Sequence, residues 1–279
     1  MARVAVLGTG LLGSGFVEGL LGRGATDVAV WNRTRAKAQP LESLGARVFD
    51  NASDAVVGVD IVHVVLLDDD TVDAAITDIR GSLAPGAVIV DHTTTRPDRT
   101  AKRAAALDAA GIDYLHAPVM MGPGAARTAK GIMLVAGPTE RVARVRPALE
   151  AMTGELWHVG ERPDLAAVYK LFGNAAILSM VGVVADIMHM ADATGVERGG
   201  ALTMLSKVNL NGSIGMRGPM MAEGNFDPQF TLDVARKDLR LMLETSTGQP
   251  TPMLRALAAR MDEMIETGEG GRDVAVLGR

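Results

Sequence analysis

The stretch VAVLGTGLLG, residues 4–13, joins four apolar residues to a glycine-rich turn. Val4–Leu7 has the composition of a buried strand, and a helix-like segment follows Gly13. Between them the glycines follow the spacing G-x-G-x-x-G, which allows a tight turn and a close approach of the backbone to a pyrophosphate. The spacing alone is weak evidence, but the flanking strand and helix make it more specific. We predict a dinucleotide-binding turn whose contacts come from Gly8, Thr9, Gly10, Leu11, Leu12 and Gly13.

Strand-like and helix-like segments alternate outward from this turn, up to about residue 160. The apolar runs are Val4–Leu7, Val28–Trp31, Ile61–Leu67 and Ala87–Val90. The segments of helical composition are Leu11–Arg23, Arg35–Leu44, Thr71–Ser82 and Asp98–Ala110. This alternation predicts βαβ units and a parallel sheet that is covered on both faces.

After Pro163 the chain has helical composition throughout. No proline occurs from Asp164 to Thr194, so we predict one long helix there. Later breaks are predicted at Gly199-Gly200, Asn209–Gly218 and Gln249–Pro252. The predicted fold is an α/β Rossmann domain at residues 1–162 and an all-α domain at residues 163–279, joined by the long interdomain helix.

Composition limits the classes of function. Apolar residues make up 48% of the 279 positions and aromatic residues only 3%, so we expect a core of aliphatic side chains and Met. The absence of Cys excludes a disulfide framework, a Cys-based zinc site and a thiol nucleophile. The five histidines lack the i, i+4 spacing of a metal-binding pair, so we expect no metal site.

Charge and hydropathy limit the partners. The net charge is −5 and no long basic run occurs, which argues against a nucleic acid partner. The uncharged apolar stretch Ala175–Ala185 is too short to span a bilayer. Met1-Ala2-Arg3 leads directly into a strand rather than into a cleavable signal. We therefore expect a cytoplasmic protein that acts on a small molecule, without a membrane partner.

The second predicted strand ends where a carboxylate would bind the ribose 2′-hydroxyl of NAD. The chain instead has Asn32, Arg33 and Thr34, followed by Arg35. A carboxylate repels a 2′-phosphate, whereas guanidinium and hydroxyl groups bind one. A solvated loop with incidental arginines explains Arg35 well, but it explains the three preceding residues poorly. We predict that Asn32, Arg33 and Thr34 bind the 2′-phosphate and that the cofactor is NADP(H).

Lys170 and Asn174 lie one turn apart in the predicted long helix, so their side chains share one face. The surrounding residues are apolar, and a lysine in such surroundings needs a paired carboxylate or a functional role. An ordinary surface or ion-paired lysine is one interpretation. With a nicotinamide cofactor the other is catalysis, because hydride transfer to a carbonyl needs a proton that an ammonium can donate. The Asn174 amide would then orient the same oxygen.

These motifs, in this order and at this spacing, resemble the β-hydroxyacid dehydrogenases and their relatives, the imine reductases. The former are a 6-phosphogluconate dehydrogenase-like class that includes 3-hydroxyisobutyrate dehydrogenase. The resemblance covers essentially the whole chain and implies that Lys170 and Asn174 are catalytic. It also implies a homodimer in which the long helix links the Rossmann domain to an intertwined helical domain. The further cofactor contacts that it implies are Leu66, Leu67, Asp68, Thr94 and Lys237.

The chain departs from the dehydrogenases in the segment that holds their substrate carboxylate. They read A-P-V-S-G-G there, and this chain reads A-P-V-M-M-G from Ala117 to Gly122. The loss of a hydroxyl donor and a glycine predicts a narrower, more apolar substrate pocket, lined by Met120, Met121 and Gly122. Arg217 lies in a stretch rich in Gly and Asn. It is either an ordinary residue of a connecting loop or a replacement contact for a substrate anion. Asp69 and Asp70 we interpret as helix caps rather than metal ligands.

The sequence predicts NADPH-dependent reduction of a small aldehyde or keto/semialdehyde acid, with Lys170 as the proton donor. Two alternatives stay open. An imine reductase would suit the Met-lined pocket, although a second cation beside an iminium is unfavourable and that class generally has Asp or Tyr at the position of Lys170. A non-catalytic NADP-binding module is the other alternative. The presence of Lys170, Asn174 and Lys237 together argues against it.

Overall fold

Nine β-strands form one sheet in the computed structural model, which describes residues 2–279. They are β1 (Val4–Leu7), β2 (Val28–Trp31), β3 (Arg47–Phe49), β4 (Ile61–Val64), β5 (Val88–Asp91), β6 (Asp113–His116), β7 (Val119–Met120), β8 (Ile132–Ala136) and β9 (Glu155–Gly160). The first six are parallel, in the spatial order β3-β2-β1-β4-β5-β6. β8 then pairs antiparallel with β6 and β7 and parallel with β9. The predicted parallel sheet is confirmed, and an antiparallel edge extends it.

Helices connect these strands and cover the sheet. They are α1 (Leu11–Gly22), α2 (Ala52–Ala55), α3 (Asp69–Ile79), α4 (Pro97–Ala109), α5 (Pro123–Arg127) and α6 (Thr139–Glu150). Two 3-10 helices, Arg35–Lys37 and Gln39–Leu44, replace the single helical segment predicted over Arg35–Leu44. Pro40 accounts for the break, because a proline disfavours helical backbone at the residue before it and donates no hydrogen bond.

Both faces of the sheet are buried. Successive residues of β1 point to opposite sides, so that Val4 and Val6 join one apolar cluster and Ala5 and Leu7 join another. The first cluster includes Phe16 of α1. Because both faces are covered, the strands read as continuous apolar runs rather than as alternating ones.

β1 lies between β2 and β4, so the chain proceeds in opposite directions across the sheet from this point. The reversal opens a crevice outside the carboxyl ends of β1 and β4, where ligands bind in folds of this kind. Gly8 follows β1 and Val65 follows β4 at that edge. The predicted strand end at Leu67 is wrong, because Leu66 and Leu67 leave the sheet and line the crevice.

α7 (Leu165–Thr194) is one uninterrupted helix of 30 residues, which confirms the prediction. By length and composition alone this helix is apolar enough to cross a bilayer. The apolar segment is therefore longer than the uncharged stretch Ala175–Ala185, on which the expectation was based. The chain divides within α7 into two compact units, Met1–Asn174 and Ala175–Arg279. Lys170 and Asn174 therefore belong to the first unit.

The second unit is helical. After α7 it contains α8 (Arg198–Lys207), α9 (Leu210–Glu223), α10 (Leu232–Thr245) and α11 (Pro252–Glu266). Its core is formed by α10, α11 and the C-terminal segment, and includes Leu232, Leu254 and Val276. The predicted break at Gly199-Gly200 is wrong, because both glycines lie inside α8; a helix tolerates each at a cost of about 1 kcal/mol. Most of Asn209–Gly218 likewise lies inside α9.

Candidate active site

The crevice at the carboxyl ends of β1 and β4 is a cavity of about 610 Å³. Its walls come from the glycine turn, the end of β2, the segment after β4 and one face of α3. All of these elements belong to the first unit. The cavity therefore occupies the position that the G-x-G-x-x-G spacing predicts for a dinucleotide.

Close contacts require two glycines of the turn. Gly8 has a φ of +102°, and a Cβ there would lie 2.1 Å from the carbonyl oxygen of Val65. A Cβ at Gly13 would lie 1.9 Å from the carbonyl oxygen of Gly8. A side chain at Gly8 would clash with the segment after β4, and one at Gly13 would push α1 away from the end of β1. Gly10 differs, because nothing lies within 4 Å of its Cβ position and the space beside it is open to a ligand.

α1 presents its N-terminus to this space. The helix begins at Leu11 with no side-chain cap and no acidic residue in its first turn. Its first N–H groups and the positive end of its dipole favour an anion such as a pyrophosphate. The Thr9 hydroxyl is buried and has no hydrogen-bond partner within residues 2–279. The turn therefore fits a dinucleotide.

Asn32 shapes the turn as well as the cavity wall. Its Oδ1 accepts a hydrogen bond from the Thr9 N–H at 3.0 Å, and its Nδ2 donates to the Thr34 carbonyl oxygen at 2.9 Å. The amide thus ties the end of β2 to the glycine turn. Because both of its polar atoms have protein partners, the charge for a 2′-phosphate comes from the residues that follow it.

The three basic side chains after Asn32 are of two kinds. Arg35 pairs with Asp50 at 2.7 Å and with Glu42 at 3.3 Å, which compensates its charge. Arg33 and Lys37 line the cavity, and neither has an acidic partner in the described part of the chain. Lys37 was not among the contacts predicted from the sequence. A single 3-10 turn, Arg35–Lys37, brings it to the cavity, and only its basic character close to Arg33 could have indicated it.

The three consecutive aspartates after β4 have different roles. Asp68 caps α3, where its Oδ1 accepts a hydrogen bond from the Thr71 N–H at 2.9 Å. This bond lowers the pKa of Asp68. The capping interpretation of Asp69 and Asp70 is wrong, because both lie in the first turn instead. Asp69 is buried and pairs with Arg103 at 2.8 Å.

A second cavity, of about 270 Å³, adjoins the other side of the glycine turn. Leu66 and Leu67 line both cavities, and Thr94 lines the smaller one. The Leu66 N–H donates to Thr93 Oγ1 at 3.0 Å, which joins the segments after β4 and β5. The structure thus brings together three residues that the resemblance implies as cofactor contacts.

Lys170 is half-buried on α7. Its Nζ donates to the Val119 carbonyl oxygen at 2.7 Å and lies 3.4 Å from Met120 Sδ. No carboxylate pairs with this ammonium within residues 2–279, so an ion pair does not explain its burial. Desolvation lowers the Lys170 pKa.

Met120 packs against α7 beside this ammonium. A Cβ at Gly173 would lie only 2.7 Å from Met120 Cε, so the glycine allows the thioether to pack against α7 close to Lys170. Asn174 is half-buried and follows Lys170 by one turn, as predicted. Met121 is also half-buried, and the exposed Gly122 precedes α5. The predicted catalytic pair and the first residue of the Met-rich segment are therefore neighbours.

The two remaining candidates lie in the second unit. Lys237 is exposed on α10 and pairs with the adjacent Asp238 at 2.6 Å. Arg217 is inside α9 rather than in a loop, and its Nε donates to the buried Asp273 at 3.1 Å. Asp273 also accepts a hydrogen bond from the Phe230 N–H at 2.9 Å, so Arg217 belongs to a structural network. The cofactor contact predicted for Lys237 and the substrate contact predicted for Arg217 both stay predictions.

Residues 3–160 match the family model of the NAD binding domain of 6-phosphogluconate dehydrogenase. The chain belongs to this family. Residues 165–279 of this family member match the model described as NAD-binding of NADP-dependent 3-hydroxyisobutyrate dehydrogenase. The two matches confirm the predicted superfamily of β-hydroxyacid dehydrogenases and imine reductases.

Relatives of this family member include enzymes. An uncharacterized oxidoreductase of Bacillus subtilis (strain 168), YfjR, is 28% identical over 281 residues, covering 99% of this chain and 98% of that protein. Glyoxylate/succinic semialdehyde reductase 2, chloroplastic, of Arabidopsis thaliana is 27% identical over 259 residues, covering 91% and 72%. The solved imine reductase from Myxococcus stipitatus in complex with NADP+ has a TM-score of 0.90 at 23% identity, covering 99% and 98%. The fold is confirmed, and the protein is an NADP-dependent oxidoreductase.

Proposed function

We propose that the protein uses NADPH to reduce the carbonyl group of a small aldehyde or keto/semialdehyde acid, and that Lys170 donates the proton. One observation carries this proposal. The half-buried Lys170 ammonium has a backbone carbonyl at 2.7 Å and no carboxylate partner within residues 2–279. An ammonium has three N–H donors, so this contact leaves donors for a substrate oxygen.

The first unit binds the cofactor in this proposal. The glycine turn and the N-terminus of α1 hold the pyrophosphate, while Arg33, Thr34 and Lys37 hold the 2′-phosphate. Asn32 fixes the loop that carries them. When bound, NADPH supplies the hydride. The other proposed contacts are Leu66, Leu67, Asp68, Thr94 and Lys237.

Lys170 supplies the proton. When the carbonyl carbon accepts a hydride, negative charge develops on its oxygen, and one proton from Nζ completes the alcohol. A lowered pKa makes the ammonium a stronger acid, which favours this transfer near neutral pH. Asn174 orients the same oxygen from one turn further along α7.

The substrate pocket is apolar on the side of Met120, Met121 and Gly122. A thioether and backbone atoms bind a carboxylate less well than the hydroxyl and amide donors of the related dehydrogenases. We therefore propose a small substrate whose carboxylate is held weakly. The name of the Arabidopsis relative, a semialdehyde reductase, supports this substrate class.

Reduction of a C=N bond is the second candidate. It is favoured by Met120, whose sulfur lies 3.4 Å from Nζ and presents an apolar wall that suits a neutral imine. It is disfavoured by the Lys170 ammonium, because two cations at short distance repel each other and a protonated imine carries positive charge.

We propose that the protein acts as a cytoplasmic homodimer. In the single chain, α7 exposes large apolar side chains, among them Leu178 at 69% and Val181 at 61% exposure. α8 and α9 expose others, among them Met204 and Ile214. A patch of this kind is characteristic of an interface between subunits. Residues 1–162 would then bind NADP, and residues 163–279 would bind substrate and form the dimer.

Light scattering at micromolar concentration tests this assembly, and the 29.2 kDa mass of one chain would contradict it.

A substrate panel with NADPH tests the chemistry. We expect wild-type protein to have a higher kcat/KM for an aldehyde acid than for a cyclic imine. Lys170→Asp should shift this ratio toward the imine, since a carboxylate attracts an iminium charge. A wild type that prefers the imine, together with a harmless Lys170→Ala change, would favour imine reduction instead.

A further inference from the structure

Two buried histidines contact each other in the sheet of the first unit. His63 lies on β4 and is fully buried, and His92 directly follows β5 and is 3% exposed. Their rings are nearly parallel, and His63 Nδ1 lies 3.0 Å from His92 Nε2. Phe16 of α1 covers the His92 ring. Two polar side chains in an apolar core are costly unless their hydrogen bonds are well made.

The hydrogen bonds determine the proton positions on both rings. His92 Nδ1 lies 2.6 Å from the Ala117 carbonyl oxygen, which can only accept, so Nδ1 carries the proton. Burial lowers the pKa of His92 to about 4 and that of His63 well below its ordinary value, so both rings are neutral at pH 7. His92 Nε2 is therefore an acceptor, and His63 Nδ1 donates to it.

This chain of hydrogen bonds ends on the segment that carries the Met residues. Ala117 is held by His92 through its carbonyl oxygen and by Asp91 through its N–H, at 2.7 Å. Two residues further on, the Val119 carbonyl oxygen accepts the hydrogen bond from Lys170 Nζ. β7 pairs with β8 and so supports Val119 directly, while the hydrogen bonds at Ala117 fix the backbone that leads into β7.

His92 also reaches the cofactor crevice. It lines the smaller cavity beside the glycine turn, together with Thr93 and Thr94. One side chain thus borders a cavity lined by the predicted cofactor contacts Leu66, Leu67 and Thr94, and holds the segment that contacts the Lys170 ammonium. No other side chain in residues 2–279 donates a hydrogen bond to Ala117.

We propose that His92, oriented by His63, is a positioning residue for the reaction. Its hydrogen bond to Ala117 holds residues 117–122 so that the Val119 carbonyl meets the Lys170 ammonium beside the cofactor turn. This inference rests on the proposed role of Lys170. His92 touches neither the ammonium nor the reacting atoms, so it acts through the backbone.

Nitrogen NMR of the histidine rings at pH 7 tests the proton positions on His63 and His92 and does not depend on enzymatic activity. We expect His63 and His92 to be neutral and protonated at Nδ1. His116 provides an internal contrast, because its Nε2 lies 2.9 Å from the Thr93 carbonyl oxygen and must carry the proton there. A His92 ring that is protonated at Nε2, or charged, would overturn the inference.

Variants test the effect on the reaction. His92→Leu removes the donor, and His92→Asn keeps an N–H close to the position of Nδ1. We expect His92→Leu to lower kcat about tenfold or more, because small displacements of catalytic groups are costly. The Lys170 titration midpoint measured by NMR should move, and His92→Asn should restore most of the lost kcat.

Tyr114→Phe is the matched control. It removes a buried hydroxyl that donates to Asp91 Oδ2 at 2.9 Å and makes no hydrogen bond to residues 117–122. We expect it to lower Tm without affecting kcat or the Lys170 midpoint. An equal loss of kcat in Tyr114→Phe would reduce His92 to a structural residue. Should His92→Leu fail to fold, His63→Leu, which releases the His92 ring, should move the same midpoint, and an unmoved midpoint would count against the inference.

Lys170→Ala separates this inference from the proposed function. If that variant keeps full turnover, the proposed function fails. The NMR titration midpoint of Lys170, compared between wild type and His92→Leu, then still decides whether His92 positions residues 117–122. If Lys170→Ala loses turnover while His92→Leu changes neither kcat nor the midpoint, only the inference about His92 fails.

Discussion

Arg33 and Lys37 at the cofactor crevice and Lys170 on α7 are cations without acidic partners in the described part of the chain, but their surroundings differ. Arg33 and Lys37 are exposed and line a cavity of about 610 Å³. Lys170 is half-buried between a backbone carbonyl and a thioether. The first two keep their hydration until an anion replaces it, whereas Lys170 has already lost part of its own.

This difference indicates what each cation can do. An exposed guanidinium remains charged over the whole working range and is suited to binding a phosphate. A partly desolvated ammonium has a lowered pKa and gives up a proton more easily. We therefore expect substitutions at the crevice to change cofactor affinity and substitutions on α7 to change the chemical step.

The largest effect is expected for Lys170→Ala. Loss of a general acid typically lowers the rate by about 10²–10⁴-fold, and we expect kcat for an aldehyde acid to fall by this amount. The dissociation constant for NADPH, measured by fluorescence titration, should stay within about twofold of the wild type, since Lys170 does not line the crevice. A large loss of NADPH affinity in this variant would remove the distinction between the two sets of cations.

The next effect is expected for Arg33→Ala. We expect the dissociation constant for NADPH to rise about 10- to 100-fold, which corresponds to one charge-assisted contact of about 1.5–3 kcal/mol. The value for NADH should hardly change, because NADH has no 2′-phosphate. Arg35→Ala is the matched control, since its guanidinium already pairs with Asp50 and Glu42. Equal losses for both cofactors would contradict the assignment of Arg33 to the 2′-phosphate.

Local patterns account for the predicted turn and the predicted long helix that the structure contains. Gly8 and Gly13 are recognisable because a short-range turn requires them, and the long helix because no proline interrupts it. Asp68 shows the limit of such patterns. Three consecutive aspartates offer three candidate caps, and only the backbone direction after β4 decides that Asp68 is the cap.

Residues whose roles depend on distant neighbours were not predictable. His92 is two positions before Thr94, a predicted cofactor contact, but its partners, His63 on β4 and Ala117 just after β6, are far away in sequence. Lys37 reaches the crevice only because a 3-10 turn replaces the predicted helix. Both depend on tertiary structure that no single local motif encodes.

The pH dependence should also distinguish Lys170 from Arg33. Lys170 must be protonated to act as the donor, so kcat/KM should fall as the pH rises through its pKa, by about tenfold per pH unit above it. Because desolvation lowers this pKa from 10.5, the decrease should begin at a lower pH than an ordinary lysine would give. NADPH affinity should not show this decrease, because Lys170 does not line the crevice. A kcat/KM that stays constant up to pH 10.5 would contradict the assignment of Lys170.

The smallest effect is expected for Met120→Ser, which alters the surroundings of Lys170 without removing a charge. The thioether lies 3.4 Å from Nζ and fills the space over Gly173, so a serine would introduce a hydroxyl donor and open the pocket. For substrates with a carboxylate we expect KM to fall by a factor of about 5–10, the equivalent of one neutral hydrogen bond of about 1 kcal/mol. The kcat should change less, because the hydroxyl would contact the carboxylate equally in the ground state and the transition state. An ester of the same acid serves as the control substrate, since it has no carboxylate to gain the contact. If KM fell equally for the ester, the gain would come from the enlarged pocket, and the Met120 side chain would limit substrate size rather than exclude an anion donor.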